Sequence, residues 1–312
     1  MKLSRVFPCL ACVSWLAAPA LPQAGTPIIV SIPGSTRTDI TAINASGTMA
    51  GVYQTADAIY GFTATKPDLS DYVTIDIGAP GGLTLISGIG PEGTLVGSYC
   101  DGEDCSPGGP VVGLRAFLRR KSGAVSVWEY PAPGASFTRF LGINARGQIV
   151  GMYVNQDSVP CGFLLNKFGS DPIPIQYLHP EFPQPEFLTV PNGINSQGIV
   201  VGEIRRRTDP TTSWGFVWDG VMFTLFARPD GSGGSYGTMA SSINDRGDIV
   251  GAYWLPDPWR LVGFHLRSGL YRDVAVEAKS VRLNDINNAG TIVGICYDDL
   301  LPVKIEGLIV PK

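Results

Sequence analysis

The chain has 312 residues, 16% of them charged, with a formal net charge of −4. Its 39 glycines and 25 prolines make up about a fifth of the residues, against a usual ~12%, while hydrophobic residues hold at 44%. This balance excludes a disordered chain, which lacks apolar surface to bury, and disfavours a coiled coil or helical bundle; a turn-rich all-β protein remains.

Residues 1–24 read as a secretory signal peptide. Lys2 and Arg5 supply the positive start, Val6 to Ala17 the apolar stretch, and Ala18-Pro19-Ala20 a small-residue cleavage site, with Ala24 a second candidate. The apolar run is shorter than the ~20 residues of a spanning helix, and no other stretch approaches that length. Cys9 and Cys12 fall inside this segment without the Leu-x-x-Cys context of lipid attachment. A secreted protein, extracellular or periplasmic, is expected. Removing Lys2 and Arg5 takes 23 basic and 27 acidic residues to 21 and 27, a net −6. Nucleic-acid binding wants a basic footprint; the one basic run, Arg205-Arg206-Arg207, is followed by Asp209 and reads as a solvated loop. No nucleic-acid partner is expected.

Residues 25–312 are expected to form one domain. A first strand is predicted at 27–32 (PIIVSI). Six self-similar segments follow, centred on Ile43, Ile89, Ile143, Ile194, Ile243 and Ile286, at spacings of 46, 54, 51, 49 and 43 residues. This period suits a propeller with four strands per repeat. Each segment enters a predicted type I turn that opens on Asn and ends on Gly: Asn44 and Gly47, Asn144 and Gly147, Asn195 and Gly198, Asn244 and Gly247, Asn287 and Gly290. Asn suits the first position because its side chain bonds its own backbone; Gly suits the fourth. The second repeat has Gly90 and Pro91 instead, and Pro is favoured at the second turn position.

The next strand carries two adjacent apolar residues and then a recurring Gly (51, 97, 151, 202, 251, 294). Apolar side chains on both faces imply burial on both. A strand Gly marks close backbone approach, and an aromatic ring from the adjacent blade is expected over it. A third strand starts at Gly61-Phe62, Ala116-Phe117, Gly162-Phe163, Gly215-Phe216, Gly263-Phe264 and Gly307-Leu308. Fourth strands are predicted at 72–77, 125–130, 173–178, 221–226 and 271–276. The sixth repeat has none of its own. Strand 27–32 is expected to complete it, closing a six-bladed β-propeller of four antiparallel strands per blade and covering an open edge.

The pattern Gly-Phe-Leu followed by Gly-Ile-Asn-x-x-Gly-x-Ile-Val-Gly-x-Tyr resembles the bacterial HAF-type extracellular repeat. The nearest copy of its namesake core is Arg115-Ala116-Phe117-Leu118; the eponymous His is absent. The resemblance covers essentially all of 25–312. It implies an exported bacterial protein, and brings no catalytic residues.

The loops between second and third strands and the linkers between repeats should share one face, and variable loops on a rigid scaffold commonly carry function. They hold Trp214, Trp254, Asp257, Trp259 and Arg260 as candidate ligand-binding residues, together with Asp298 and Asp299. Trp beside carboxylate suits a sugar, stacking its apolar face and bonding its hydroxyls. Asp101, Glu103 and Asp104 form an acidic loop that could hold Ca²⁺; no other cofactor is expected. Cys100 and Cys105 are expected to pair as a disulfide. Cys161 and Cys296 fall in opposite blades, which makes a bridge between them doubtful. Gly233-Gly234-Ser235-Tyr236-Gly237 matches a nucleophile elbow, but that motif needs a strand-to-helix turn, not a Gly-rich linker. Arg246-Gly247-Asp248 spells an adhesion tripeptide and Asn44-Ala45-Ser46 a glycosylation sequon; the repeat turn explains both.

The preferred expectation is a monomeric, non-catalytic module that binds a glycan or a protein through this loop face. One alternative is a secreted carbohydrate-active hydrolase or lyase using loop carboxylates. The other is an envelope or matrix structural protein. Carboxylates with raised pKa in one axial pocket would favour the enzyme; an exposed aromatic patch would favour the binder.

Overall fold

The computed structural model describes residues 25–78, 82–101, 105, 113–179, 181, 186–209, 212–232, 234–298 and 303–312. The described residues form strands and turns, with no helix among them.

Strand β1 (Ile28–Val30) is followed by β2 (Arg37–Ile43), β3 (Met49–Gln54), β4 (Ile59–Ala64) and β5 (Val73–Ile75). Then come β6 (Leu83–Ile89), β7 (Leu95–Cys100), β8 (Arg115–Arg119) and β9 (Val125–Trp128). Next are β10 (Ser136–Ile143), β11 (Ile149–Val154), β12 (Pro160–Leu165) and β13 (Ile173–Ile175). After β14 (Phe187–Ile194), β15 (Val200–Arg206), β16 (Ser213–Trp218) and β17 (Phe223–Phe226), a short ribbon is made by β18 (Arg228–Pro229) and β19 (Ser235–Tyr236). The chain ends with β20 (Thr238–Ile243), β21 (Ile249–Pro256), β22 (Trp259–Arg267), β23 (Leu270–Val274), β24 (Ser280–Ile286), β25 (Ile292–Tyr297) and β26 (Ile305–Val310).

Strands β10 to β13, β14 to β17 and β20 to β23 are separate four-stranded antiparallel sheets, paired in chain order. The same order recurs in β2 to β5 and β6 to β9, which share a longer sheet path with β24 to β26. Only single parallel bridges, Arg37 to Ile305 and Ile59 to Leu83, join these sets. Strand β1 adds to β26, with Ile28 opposite Ile309 and Val30 opposite Gly307. The N-terminal strand therefore covers the C-terminal one. Contacts run from β3 to β6, β7 to β10, β11 to β14, β15 to β20, β21 to β24, and from β25 back to β2. Each sheet packs on its successor and the last packs on the first.

The predicted turns form as the sequence requires. Asn44 Oδ1 accepts Ser46 N at 3.1 Å and Thr48 N at 2.9 Å, and Gly47 closes the turn at φ +83°. Asn144, Asn195, Asn244 and Asn287 repeat the pattern.

The expectation for the strand glycines is corrected in one respect. A Cβ on Gly51 would run into the Asp39 carbonyl and lie 2.7 Å from Phe62 Cε1. Phe62 is the residue opposite Gly51 in the same sheet. The ring therefore comes from the next strand, not from an adjacent blade. Phe117, Phe163, Phe216 and Phe264 stand opposite Gly97, Gly151, Gly202 and Gly251 in the same way, all fully buried. The reason is cross-strand geometry: directly opposed residues share a face, so a ring folded over its own sheet needs a bare backbone beneath it. Gly294 faces Leu308 instead.

The first strand of each set, β2, β6, β10, β14, β20 and β24, lies innermost at the cavity. Each leaves one residue unpaired at a matching position, β10 having a second shift nearer its start. Register shifts leave out Thr41, Ser87, Leu141, Asn192, Ser241 and Asn284. A bulge re-aims a side chain and bends the strand. Here it turns one residue per inner strand towards a common central cavity.

Candidate binding sites

Two places gather side chains suited to a ligand, at opposite ends of the strands. The first is the hairpin between β21 and β22. These strands extend to the pair Pro256 and Trp259. Trp254 and Trp259 stack with ring centroids 4.9 Å apart and an interplanar angle of 16°. Trp259 remains 54% exposed. Asp257 lies at the tip of the hairpin. Arg260 Nε is buried with no hydrogen-bond partner. The hairpin thus collects four of the five predicted ligand residues.

The fifth, Trp214, is not with them. It lies in β16, half-buried, 6.0 Å from Phe187 and packed on that sheet's core. Its strand position points it at the neighbouring apolar cluster, so it is a packing residue. Other charged groups described on this face pair within the chain. Arg228 lies over Tyr253 and Tyr271 at 5.7 and 5.3 Å and pairs with Asp273. Arg206 donates to Glu186 at 2.8 Å and Arg205 lies 3.9 Å from Glu203, so two residues of the basic run are ion-paired.

Cys100 and Cys105 form a disulfide, with Cα atoms 5.9 Å apart. Cys161 and Cys296 are free. Asp101 accepts from Arg115 Nη2 at 3.2 Å; Glu103 and Asp104 of the candidate Ca²⁺ loop lie outside the described residues, as does Asp299. Among the described residues, no three metal-ligating side chains cluster. Ser235 belongs to the β18–β19 ribbon, not to an elbow. Asp248 is 2% exposed and ion-paired to Arg246 at 2.8 Å, so the tripeptide is not presented to a partner.

The second place is the central cavity, of about 370 Å³. Its rim is the Asn turns. Each turn amide donates to the next turn's backbone carbonyl: Asn144 to Asn195 at 2.8 Å, Asn195 to Asn244 at 3.3 Å, Asn244 to Asn287 at 3.2 Å, Asn287 to Asn44 at 3.2 Å, and Asn44 to Gly90 at 3.3 Å. Bulge side chains make a second tier below. Thr41 donates to Ile86 O at 2.7 Å, Asn192 to Ala240 O at 2.9 Å, and Asn284 to Ile40 O at 2.9 Å.

Three carboxylates line this cavity, Asp245, Asp285 and Glu203. Asp245, on a turn at the rim, accepts from Ser196 N at 2.7 Å and Asn288 Nδ2 at 2.6 Å. Asp285 accepts from Ile43 N at 2.8 Å, Ser242 Oγ at 2.5 Å and Ile286 N at 2.8 Å. Burial still pushes its pKa above the usual carboxylate range. Both its oxygens are committed to joining inner strands. Glu203, on β15, differs. Its Oε1 lies 3.9 Å from Arg205 Nη1, and its Oε2 is buried with no partner. Burial raises its pKa, only partly offset by Arg205 and Arg282. Sequence reasoning missed this residue, although a signal existed. The position after the strand Gly is Val52, Ser98, Met152, Ala252 and Ile295 in the other repeats, so a carboxylate there breaks the pattern.

A cycle of antiparallel sheets packed each on the next is β-propeller architecture. No protein-family model and no curated protein matches the chain. Solved structures do. A triple arginine-to-alanine mutant of AofleA from Arthrobotrys oligospora is similar over 91% of this chain and 86% of that one, at 14% identity and a TM-score of 0.50. A polysaccharide lyase, an ulvan lyase, covers 89% and 83% at 10% identity and 0.45. The fucose-recognising fungal lectin of Aleuria aurantia, a six-bladed β-propeller, covers 81% and 78% at 12% identity and 0.45. At such identity the likeness concerns the fold alone.

Proposed function

We propose that the chain is an exported, monomeric, non-catalytic carbohydrate-binding module of the HAF-type repeat class. In this reading it is a six-bladed β-propeller with four strands per blade, and β1 completes the last blade. The recurrence of one bulge per inner strand and the Asn hydrogen bonds linking successive turns support that architecture.

The observation that carries the function is the exposed Trp259 ring, held flat by Trp254 beside Asp257 and Arg260. A rigid aromatic face takes the apolar side of a pyranose, and the flanking charged groups bond its hydroxyls. The test is titration of residues 25–312 with oligosaccharides of several classes, read by calorimetry and tryptophan fluorescence. One class should bind and quench the fluorescence, and Trp259→Ala should weaken it at least about tenfold, near 1.4 kcal/mol. Binding that Trp259→Ala leaves intact overturns the hairpin as the site.

A hydrolase or lyase is the second reading. It is favoured by the two carboxylates of raised pKa in one cavity. The commitment of both Asp285 oxygens weighs against it, because glycoside hydrolysis needs two available carboxyls. Release of reducing ends or unsaturated uronates from the bound polysaccharide would establish that reading.

A further inference from the structure

The geometry points to a second binding site, the central cavity, for a small neutral polyhydroxylated molecule such as a monosaccharide or alditol entering past the Asn turns. It does not depend on the hairpin, which lies at the other end of the strands. Three observations carry it.

First, the volume of about 370 Å³ falls within the range of small-molecule pockets. Second, Glu203 Oε2 is buried on the wall without a hydrogen-bond partner. Such a group costs free energy unless something bonds it. The Asp285 carboxylate and the amides of Asn192 and Asn284, also on the wall, are already committed elsewhere. Third, the charges around Glu203 are mixed. Arg205 and Arg282 act on it, and Arg282 also lies 3.6 Å from Asp39. A cation entering here meets the Arg282 guanidinium, and an anion meets Asp245, Asp285 and Glu203. A hydroxyl satisfies both surroundings because it donates and accepts. It can donate to an ionised Glu203 or accept from a protonated one. Ser87 and Ser241 present further hydroxyls on the wall from other strands.

The experiment is calorimetry and thermal unfolding of residues 25–312 with neutral hexoses, deoxyhexoses and hexitols, each beside its uronate or amino counterpart. A ligand that binds only the folded state raises the midpoint. One neutral polyol should do so, and its charged counterparts should bind at least about tenfold more weakly. Glu203→Gln should weaken the neutral ligand at least about tenfold, while Trp259→Ala leaves it unchanged. Ser241→Phe, which fills the wall from a different strand, should abolish it, so the conclusion does not rest on one variant. The site is overturned if no neutral polyol raises the midpoint. It is equally overturned if binding survives both cavity variants, or if Trp259→Ala alone removes it. That last result would assign the ligand to the hairpin.

Discussion

Asn287 Nδ2 donates to the backbone carbonyl of Asn44, 3.2 Å away across 243 residues of chain. The same side chain uses Oδ1 to accept Gly290 N and Thr291 N within its own turn. One amide therefore shapes a local turn with its oxygen and joins the last repeat to the first with its nitrogen. Asn287→Ala should cost about 1–3 kcal/mol, since it leaves buried partners unsatisfied. Asn287→Asp keeps the acceptor and loses the donor, so it should retain the turn and still lose stability. Urea unfolding of both variants checks this; an unchanged Asn287→Asp midpoint would show that the link between repeats contributes nothing.

The strand glycines divide into two kinds. At Gly51 an added Cβ meets the Asp39 carbonyl as well as the Phe62 ring; at Gly215 its three nearest neighbours are Phe226 ring atoms, the nearest at 2.5 Å. Gly51→Ala and Gly215→Ala should each cost about 1–3 kcal/mol from overpacking. Phe226→Leu should recover part of the Gly215→Ala loss, whereas Phe62→Leu should not rescue Gly51→Ala, because a backbone carbonyl cannot move aside. Double-mutant cycles by denaturant melts measure the difference.

Removal of residues 25–32 should lower the unfolding midpoint and promote association. It strips β1 from β26 and takes away Ile32, 1% exposed in the core. A bare strand edge is a template for pairing with another chain. Light scattering of the truncated and intact proteins at matched concentration reads the outcome.

The Cys100–Cys105 bridge closes a loop with a sequence separation of five, which chain entropy values at about 2 kcal/mol. Reductant should lower the midpoint accordingly. Thiol titration of residues 25–312 in denaturant should find Cys161 and Cys296 alone before reduction and all four cysteines after it.

Stability should depend on Glu203 with a definite sign. Burial raises its folded pKa, so the unfolded form ionises first as pH rises. Stability from this group is therefore highest at or below the ordinary carboxylate range and falls as pH climbs towards the folded value. Glu306 acts the other way: its hydrogen bond from Lys279 lowers its pKa, so its contribution is lost as pH falls through the folded value. Asp285, also raised by burial, adds a slope of the same sign as that of Glu203. Glu203→Gln should therefore reduce the first slope and leave the second, as read by unfolding midpoints from acid to neutral pH.

Much of this was legible in the chain. The Asn and Gly of each turn act within five residues, so local chemistry reveals them. The same holds for the apolar pair that precedes each strand glycine, and for the disulfide loop. The missing fourth strand of the last repeat pointed to residues 27–32, and β1 pairs there. The candidate site was half legible. Trp254, Asp257, Trp259 and Arg260 gather because they share one hairpin, a short-range fact. Trp214 does not join them: it packs on Phe187, two strands away in its own sheet, a contact set by strand pairing.

What the sequence determined by itself was periodicity: strand, turn and glycine, each specified by its immediate neighbours. What only the tertiary structure decided was which groups meet across repeats. The Asn287 amide reaching Asn44, the bulged residues turning inward, and Glu203 left unpaired in the cavity all depend on strands far apart in the chain. Hydrogen-bond satisfaction is settled by whatever partner lies within about 3 Å, and no local pattern can name that partner before the sheets have packed.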